Sequence, residues 1–127
     1  MAEGVLDASA VLAMLQAEAG ADQVQDILPR ALLSSVNAAE VVAKLIRYGA
    51  DPDSAVDAVR LLECPIVAVE DRLGLRAGAL YSLTSRLGLS LADRICLALA
   101  EREGLAVLTA DRAWASLDIG IEIRLIR

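Results

Sequence analysis

Two apolar rhythms alternate along the chain: short runs rich in Val, Ile and Leu, and longer stretches in which apolar residues recur every three or four positions. The first pattern marks buried strands, the second amphipathic helices. Val5-Leu6-Asp7 reads as the end of a strand, after which Val11, Leu12 and Leu15 share a helical face that stops near Gly20. A short helix from Asp22 to Leu28 is predicted to end at Pro29, and Ala31 to Val36 reads as a second strand. Asn37 is expected to open a helix carrying Val41, Val42, Leu45 and Ile46 as far as Gly49. Another follows from about Asp53 to Leu62, with Pro52 suited to its entry. Pro65 to Val69 is the expected third strand. From Glu70 to Leu87, the residues Leu73, Ala77, Leu80, Leu83 and Leu87 fall on one helical face. Ser90 starts a helix that is apolar nearly all round and therefore belongs in the interior. Leu105 to Leu108 and Ile121 to Ile126 are the last two strands.

Strands alternating with helices predict an α/β fold: one three-layer α/β/α domain over residues 1–127, with a central parallel sheet of about four to five strands. No repeat, low-complexity tract or linker divides it. In such sheets ligands bind beyond the carboxyl ends of the strands, near the point where the strand order reverses.

Composition narrows the chemistry. No apolar run approaches the roughly 18 residues of a membrane span. The start of the chain lacks a basic region followed by an apolar stretch, so no signal peptide is expected and the cytoplasm is the expected compartment. The two cysteines, Cys64 and Cys96, lie far apart and read as buried reduced thiols. Histidine is absent, which removes Ser-His-Asp and Cys-His catalysis, HExxH zinc sites and histidine general bases together. An enzyme with this inventory must work with carboxylates and metal-bound water. The net charge of −6 argues against a broad basic surface for nucleic acid, though not against a nuclease whose acids gather at a metal site.

Four acids are placed to converge. Asp7 follows the first strand, and Asp111 stands just after the strand Leu105-Leu108. Glu40 is expected in the first turn of the helix leaving the second strand, and Asp93 in the first turn of the buried helix beginning at Ser90. All four belong at the same sheet edge. Two carboxylates about 4 Å apart repel by roughly 4 kcal/mol at an effective dielectric near 20, so such a cluster calls for a cation. Mg2+ or Mn2+, which prefer oxygen ligands, match it. Each acid also has a plainer role. Ser90-Leu-Ala-Asp93 and Asn37-Ala-Ala-Glu40 resemble capping boxes, Asp111 suits the cap of a short helix from Arg112 to Ser116, and Asp7 with Ser9 suits the cap of the first helix. A capping acid is still able to bind metal, so the two readings compete only in part.

Ser9 and Thr109 read either as hydrogen-bond partners of the acids or phosphate, or as turn residues. Arg94 and Arg112 each follow a candidate ligand and are candidates for RNA phosphate contact. Lys44 reads as an i,i+4 partner of Glu40. Trp114 suits packing under the last loop better than stacking on a base. Asp51, Asp53, Asp57, Glu101 and Glu103 read as solvated helix faces.

Four segments in order, Val5-Leu6-Asp7-Ala8-Ser9-Ala10, Ser35-Val36-Asn37-Ala38-Ala39-Glu40-Val41, Leu89-Ser90-Leu91-Ala92-Asp93 and Val107-Leu108-Thr109-Ala110-Asp111, resemble the PIN domain, and within it the VapC-type toxins of toxin–antitoxin pairs. The resemblance covers essentially the whole chain. It implies a Mg2+- or Mn2+-dependent endoribonuclease whose catalytic, metal-holding acids are Asp7, Glu40, Asp93 and Asp111. It further implies an RNA substrate, a cognate antitoxin that inhibits by inserting a segment into or beside the acidic site, and a homodimer. Ala110 departs from the Asn, Asp or Gly usual there, and Trp114 from the usual Phe.

Two rival folds place an acid after a first strand. A haloacid-dehalogenase-like phosphohydrolase wants a second acid two positions later, where this chain has Ser9. A phospho-receiver domain wants a late lysine after a strand, and the only lysine is Lys44. The stronger alternative is a non-catalytic PIN-like module that scaffolds a protein or RNA partner.

Overall fold

In the computed structural model, which describes residues 1–127, the alternation of side chains along the strands decides the layering. Strands β1 (Gly4–Leu6), β2 (Ala31–Ser34), β3 (Ile66–Val67), β4 (Val107–Thr109) and β5 (Ile123–Leu125) form one parallel sheet in the order β3-β2-β1-β4-β5. Val5 lies beside Leu32 and Val107, and Leu6 beside Leu108. Successive residues of a strand face opposite sides. Leu6, Ala31, Leu33 and Leu108 accordingly enter one core, and Val5 and Val107 the other.

The first core is covered by α1 (Ala8–Leu15), α2 (Ala21–Ile27), α3 (Ser35–Arg47) and α4 (Pro52–Arg60). The second is covered by α5 (Asp71–Ala79) and α7 (Leu91–Glu103), with α6 (Tyr81–Thr84) beside them. The expected three-layer α/β/α fold with a parallel sheet of five strands is what forms. Ile95 to Ala100 are all buried, as the all-round apolar pattern of α7 requires. Gly104 ends that helix in the left-handed conformation (φ 67°) that a C-terminal glycine supplies cheaply. At Gly20 (φ 94°), any Cβ would run into Ile126, so this glycine lets the last residues pack over the start of α2.

Several boundaries differ from expectation. Helix α3 begins at Ser35, not Asn37, because Ser34 already accepts the Asn37 N–H at 2.9 Å and caps it. The second strand therefore stops at Ser34. The single helix expected from Glu70 to Leu87 is divided into α5, α6 and a 3-10 turn (Ser85–Leu87), and Leu83 is exposed rather than on the buried face. Strand β3 keeps only two residues of the five expected; it is the sheet edge, where a single neighbour sets the pairing. Strand β5 is Ile123–Leu125 rather than Ile121 to Ile126, and β4 is Val107–Thr109 rather than Leu105 to Leu108. Cys64 and Cys96 are buried and unpaired, as expected. No helix is long and apolar enough to cross a membrane.

Candidate functional site

The strand order reverses between β1 and β4. From β1 the chain moves outward through β2 and β3, then returns to the other side of β1. Asp7 leaves the carboxyl end of β1, and Thr109, Ala110 and Asp111 leave that of β4, so the residues at the reversal point are these.

Asp7 is 3 % exposed and caps α1. Its Oδ1 accepts from the Ala10 N–H at 2.9 Å and the Ser9 hydroxyl at 2.8 Å, and its Oδ2 accepts from the Thr109 hydroxyl at 2.7 Å. Both hydroxyls also receive the chain leaving β4: Ser9 Oγ accepts the Ala110 N–H at 2.9 Å, and Thr109 Oγ1 accepts the Asp111 N–H at 3.0 Å. Two consecutive amides after β4 thus hang on hydroxyls whose protons point at one carboxylate. Burial pushes the Asp7 carboxyl up from 3.8 to about 6, against these hydrogen bonds and with a further upward push from Asp93.

Asp93 sits in the first turn of α7 and closes a capping box: the Ser90 N–H donates to its Oδ2 at 2.9 Å, and its own N–H donates to Ser90 Oγ at 3.1 Å. Glu40 lies in the second turn of α3, not the first, a consequence of the earlier helix start; the capping box expected between Asn37 and Glu40 does not form. Burial raises the Glu40 carboxyl, Lys44 attracts it without forming an ion pair, and Asp93 repels it. The Cys96 thiol of α7 is fully buried and pushed well above its ordinary range, by burial first and then by the negative charges of Asp7, Asp93 and Glu40. Asp93 thus acts on both Asp7 and Glu40, the pair contributed by β1 and α3.

Asp111 joins them through its backbone, by way of Thr109. Its exposed carboxylate accepts from the Ala113 N–H at 3.0 Å and caps the 3-10 turn Arg112–Ser116. No group of three or more His, Cys, Asp or Glu side chains is disposed to hold a metal ion as these side chains stand. Asp93 and Asp111 each accept one backbone N–H. The donor chemistry nevertheless fits a hard cation. All donors are oxygens, Oδ1 of Asp93 and Oδ2 of Asp111 have no hydrogen bond within the chain, and the buried Asp7 gains most from a nearby positive charge.

Arg94 reaches back to the Ser90 carbonyl at 3.4 Å and lies over the Tyr81 ring, 5.2 Å from its centre. Arg112 donates to the Arg127 carbonyl at 3.2 Å. Trp114 is fully buried in the second core, as expected. Asp51 proves to be the cap of α4, and Glu101 a two-bond partner of Arg76 at 2.7 and 2.8 Å, rather than merely solvated acids. The buried pair Ser34 and Asn37 has only a faint signature in the sequence, a cap serine three residues before a polar residue.

A parallel three-layer α/β domain with a buried, hydrogen-bonded aspartate at its reversal point is the class of protein that fold and site define. The sequence matches the PIN domain over residues 4–120, and the chain belongs to that family. Comparison with the curated proteins finds no match. Among solved structures, the chain is similar to DNA-bound VapBC from Salmonella typhimurium (16% identity, all of both chains covered, TM-score 0.76). It is also similar to VapC20 of Mycobacterium tuberculosis, a sarcin-ricin loop cleaving toxin (17% identity, 94% of this chain and 99% of that one, TM-score 0.72). A toxin-antitoxin complex from Klebsiella pneumoniae matches at 20% identity over 95% of this chain and 100% of that one, with a TM-score of 0.69. At these identities the likeness is one of fold.

Proposed function

We propose that this protein is a divalent-metal-dependent endoribonuclease and the toxin of a toxin–antitoxin pair. The observation that carries the reading is the buried Asp7 carboxylate at the end of β1, bonded through Thr109 to the segment that bears Asp111, while the Asn37–Ala92 bond ties the helix of Glu40 to the turn of Asp93. Asp7, Glu40, Asp93 and Asp111 would hold Mg2+ or Mn2+. Bound there, the cation supplies an activated water and charge stabilisation for phosphodiester hydrolysis, which a chain without histidine needs.

The chain's own groups then have distinct tasks. Asp7 brings a desolvated charge that Ser9 and Thr109 keep in one orientation. Asp93 and Asp111 each present one oxygen while the other stays bonded to backbone. Arg94 and Arg112 stand next to these acids in sequence and offer guanidinium groups to RNA phosphates. The fold shared with VapBC complexes supports a cognate antitoxin as the inhibitor, and a homodimer acting in the cytoplasm completes the reading.

Purified protein should cleave RNA with Mg2+ or Mn2+, and Asp7→Asn and Asp93→Asn should each abolish cleavage while remaining folded. Tests against tRNA, rRNA and mRNA identify the substrate. Cleavage that persists in chelator would reject the mechanism; no cleavage of any RNA with either metal would favour a non-catalytic scaffold.

A further inference from the structure

Asn37 is completely buried and is the only side chain that bonds α3 to the first turn of α7. Ser34, equally buried, accepts the Asn37 N–H at 2.9 Å and spends its own proton on Asn37 Oδ1 at 2.6 Å. With the oxygen end so engaged, the amide nitrogen is directed across the helix boundary and donates to the Ala92 carbonyl at 3.2 Å. Ala92 immediately precedes Asp93. Glu40 lies three residues beyond Asn37, on the same side of α3. The bond therefore joins the two helices at the level of the acids they carry.

Both acids carry negative charge, and their mutual repulsion favours separation of the two helix ends. A neutral amide held by a buried hydroxyl opposes this separation without adding charge. We infer that Asn37, oriented by Ser34, is a positioning residue that fixes the Asp93 end of α7 against the Glu40 turn of α3 and so sets the spacing of two metal-holding carboxylates. The inference rests on the reading of the site as a metal centre. Neither side chain bonds to the carboxylate of any of the four acids.

The test uses Mn2+ alone as the probe, with its binding followed by titration and its effect followed by RNA cleavage across a Mn2+ series. Asn37→Ala should weaken Mn2+ binding by about 10-fold or more, the range for groups that support a metal ligand. Its cleavage should fall at limiting Mn2+ and recover substantially at saturating Mn2+. Ser34→Ala, which keeps the amide and removes its guide, should shift in the same direction by less. Should Asn37→Ala fail to fold, Ser34→Ala decides alone. Val24→Ala, in the buried core under α2, is the control for lost stability and should melt earlier with Mn2+ affinity unchanged. If the Asn37 and Ser34 variants behave like Val24→Ala, the positioning role is wrong although the metal centre stands. A wild type that neither binds Mn2+ nor cleaves RNA overturns the metal centre and this inference with it.

Discussion

At the ends of β1 and β4, every oxygen of Asp7 is occupied, and the hydroxyls that occupy them also hold the departing chain. At the starts of α3 and α7, by contrast, Glu40 and Asp93 are only partly buried, and each acid's place follows from where its helix begins and what ties the helices together. The strand-end half thus carries a rigid, desolvated charge, and the helix half carries adjustable ones. Under the proposed metal reading, Asp7 is the ligand whose orientation its hydrogen-bonded partners fix in advance.

The largest expected effect breaks the strand-end half. Asp7→Asn should reduce metal-dependent cleavage by at least about 100-fold, beyond the 10–100-fold loss typical of a residue that only supports a metal ligand. The same variant should be more stable than wild type at neutral pH without metal, because a buried charge has been removed. Cleavage assays and thermal melts on one preparation separate the two effects. Lower stability with full cleavage would make Asp7 a helix cap and nothing more.

The pH dependence follows from the same carboxylate. Its folded value of about 6 lies above 3.8, so between these limits the folded state binds more protons than the unfolded one. Stability of the metal-free protein should therefore fall as pH rises from about 4 to 6, with Asp7 contributing roughly 3 kcal/mol to the change. Added Mn2+ binds the folded, ionised form and should reverse that slope. Denaturant unfolding across this window, on wild type and Asp7→Asn, isolates the contribution; identical slopes would show that Asp7 does not titrate there.

Thr109→Val sharpens the contrast further. Valine fills the space but leaves Asp7 Oδ2 without its shortest hydrogen bond and the Asp111 N–H without an acceptor. A cost of about 1–3 kcal/mol is expected from unfolding measurements. The Asp7 carboxyl should also titrate higher than in wild type. An unchanged stability would mean that water replaces the hydroxyl and that the network is not what holds the strand-end half.

Most of the strand-end half was legible in the sequence. Strands flanked by acids announce themselves by short apolar runs, and parallel strands share one functional edge, so Asp7 and Asp111 were placed by topology alone. The roles of Ser9 and Thr109 stayed open because a hydroxyl near an acid reads equally as a turn residue. On the helix side, Ser90 and Asp93 were recognisable as a capping box, whereas the start of α3 was misplaced. Ser34 and Ser35 follow an apolar strand without a break, and Asn37 is itself a good cap, so the local signal favoured the wrong residue. The Asn37–Ala92 bond joins residues far apart in the chain, and no periodicity reports such a contact. Likewise, the division of the helix after Ala79 arises in packing, since the apolar spacing continues unbroken through Leu83 and Leu87.

The smallest expected effect asks which device on the helix side places Asp93. Ser90→Ala removes the hydroxyl that accepts the Asp93 N–H but leaves the Ser90 N–H on the Asp93 carboxylate. Loss of such a cap costs about 1 kcal/mol, and Ser90→Gly should cost only a few tenths. If the amide of Asn37 governs the position of α7, Mn2+ affinity in Ser90→Ala should stay within about threefold of wild type, less than ~0.7 kcal/mol. The helix would fray slightly at its first residue while its register against α3 held. An affinity loss as large as that of Asn37→Ala would instead assign the placement of Asp93 to its own capping box, and the two halves of the site would then be built on one principle, each acid fixed by the helix terminus it caps.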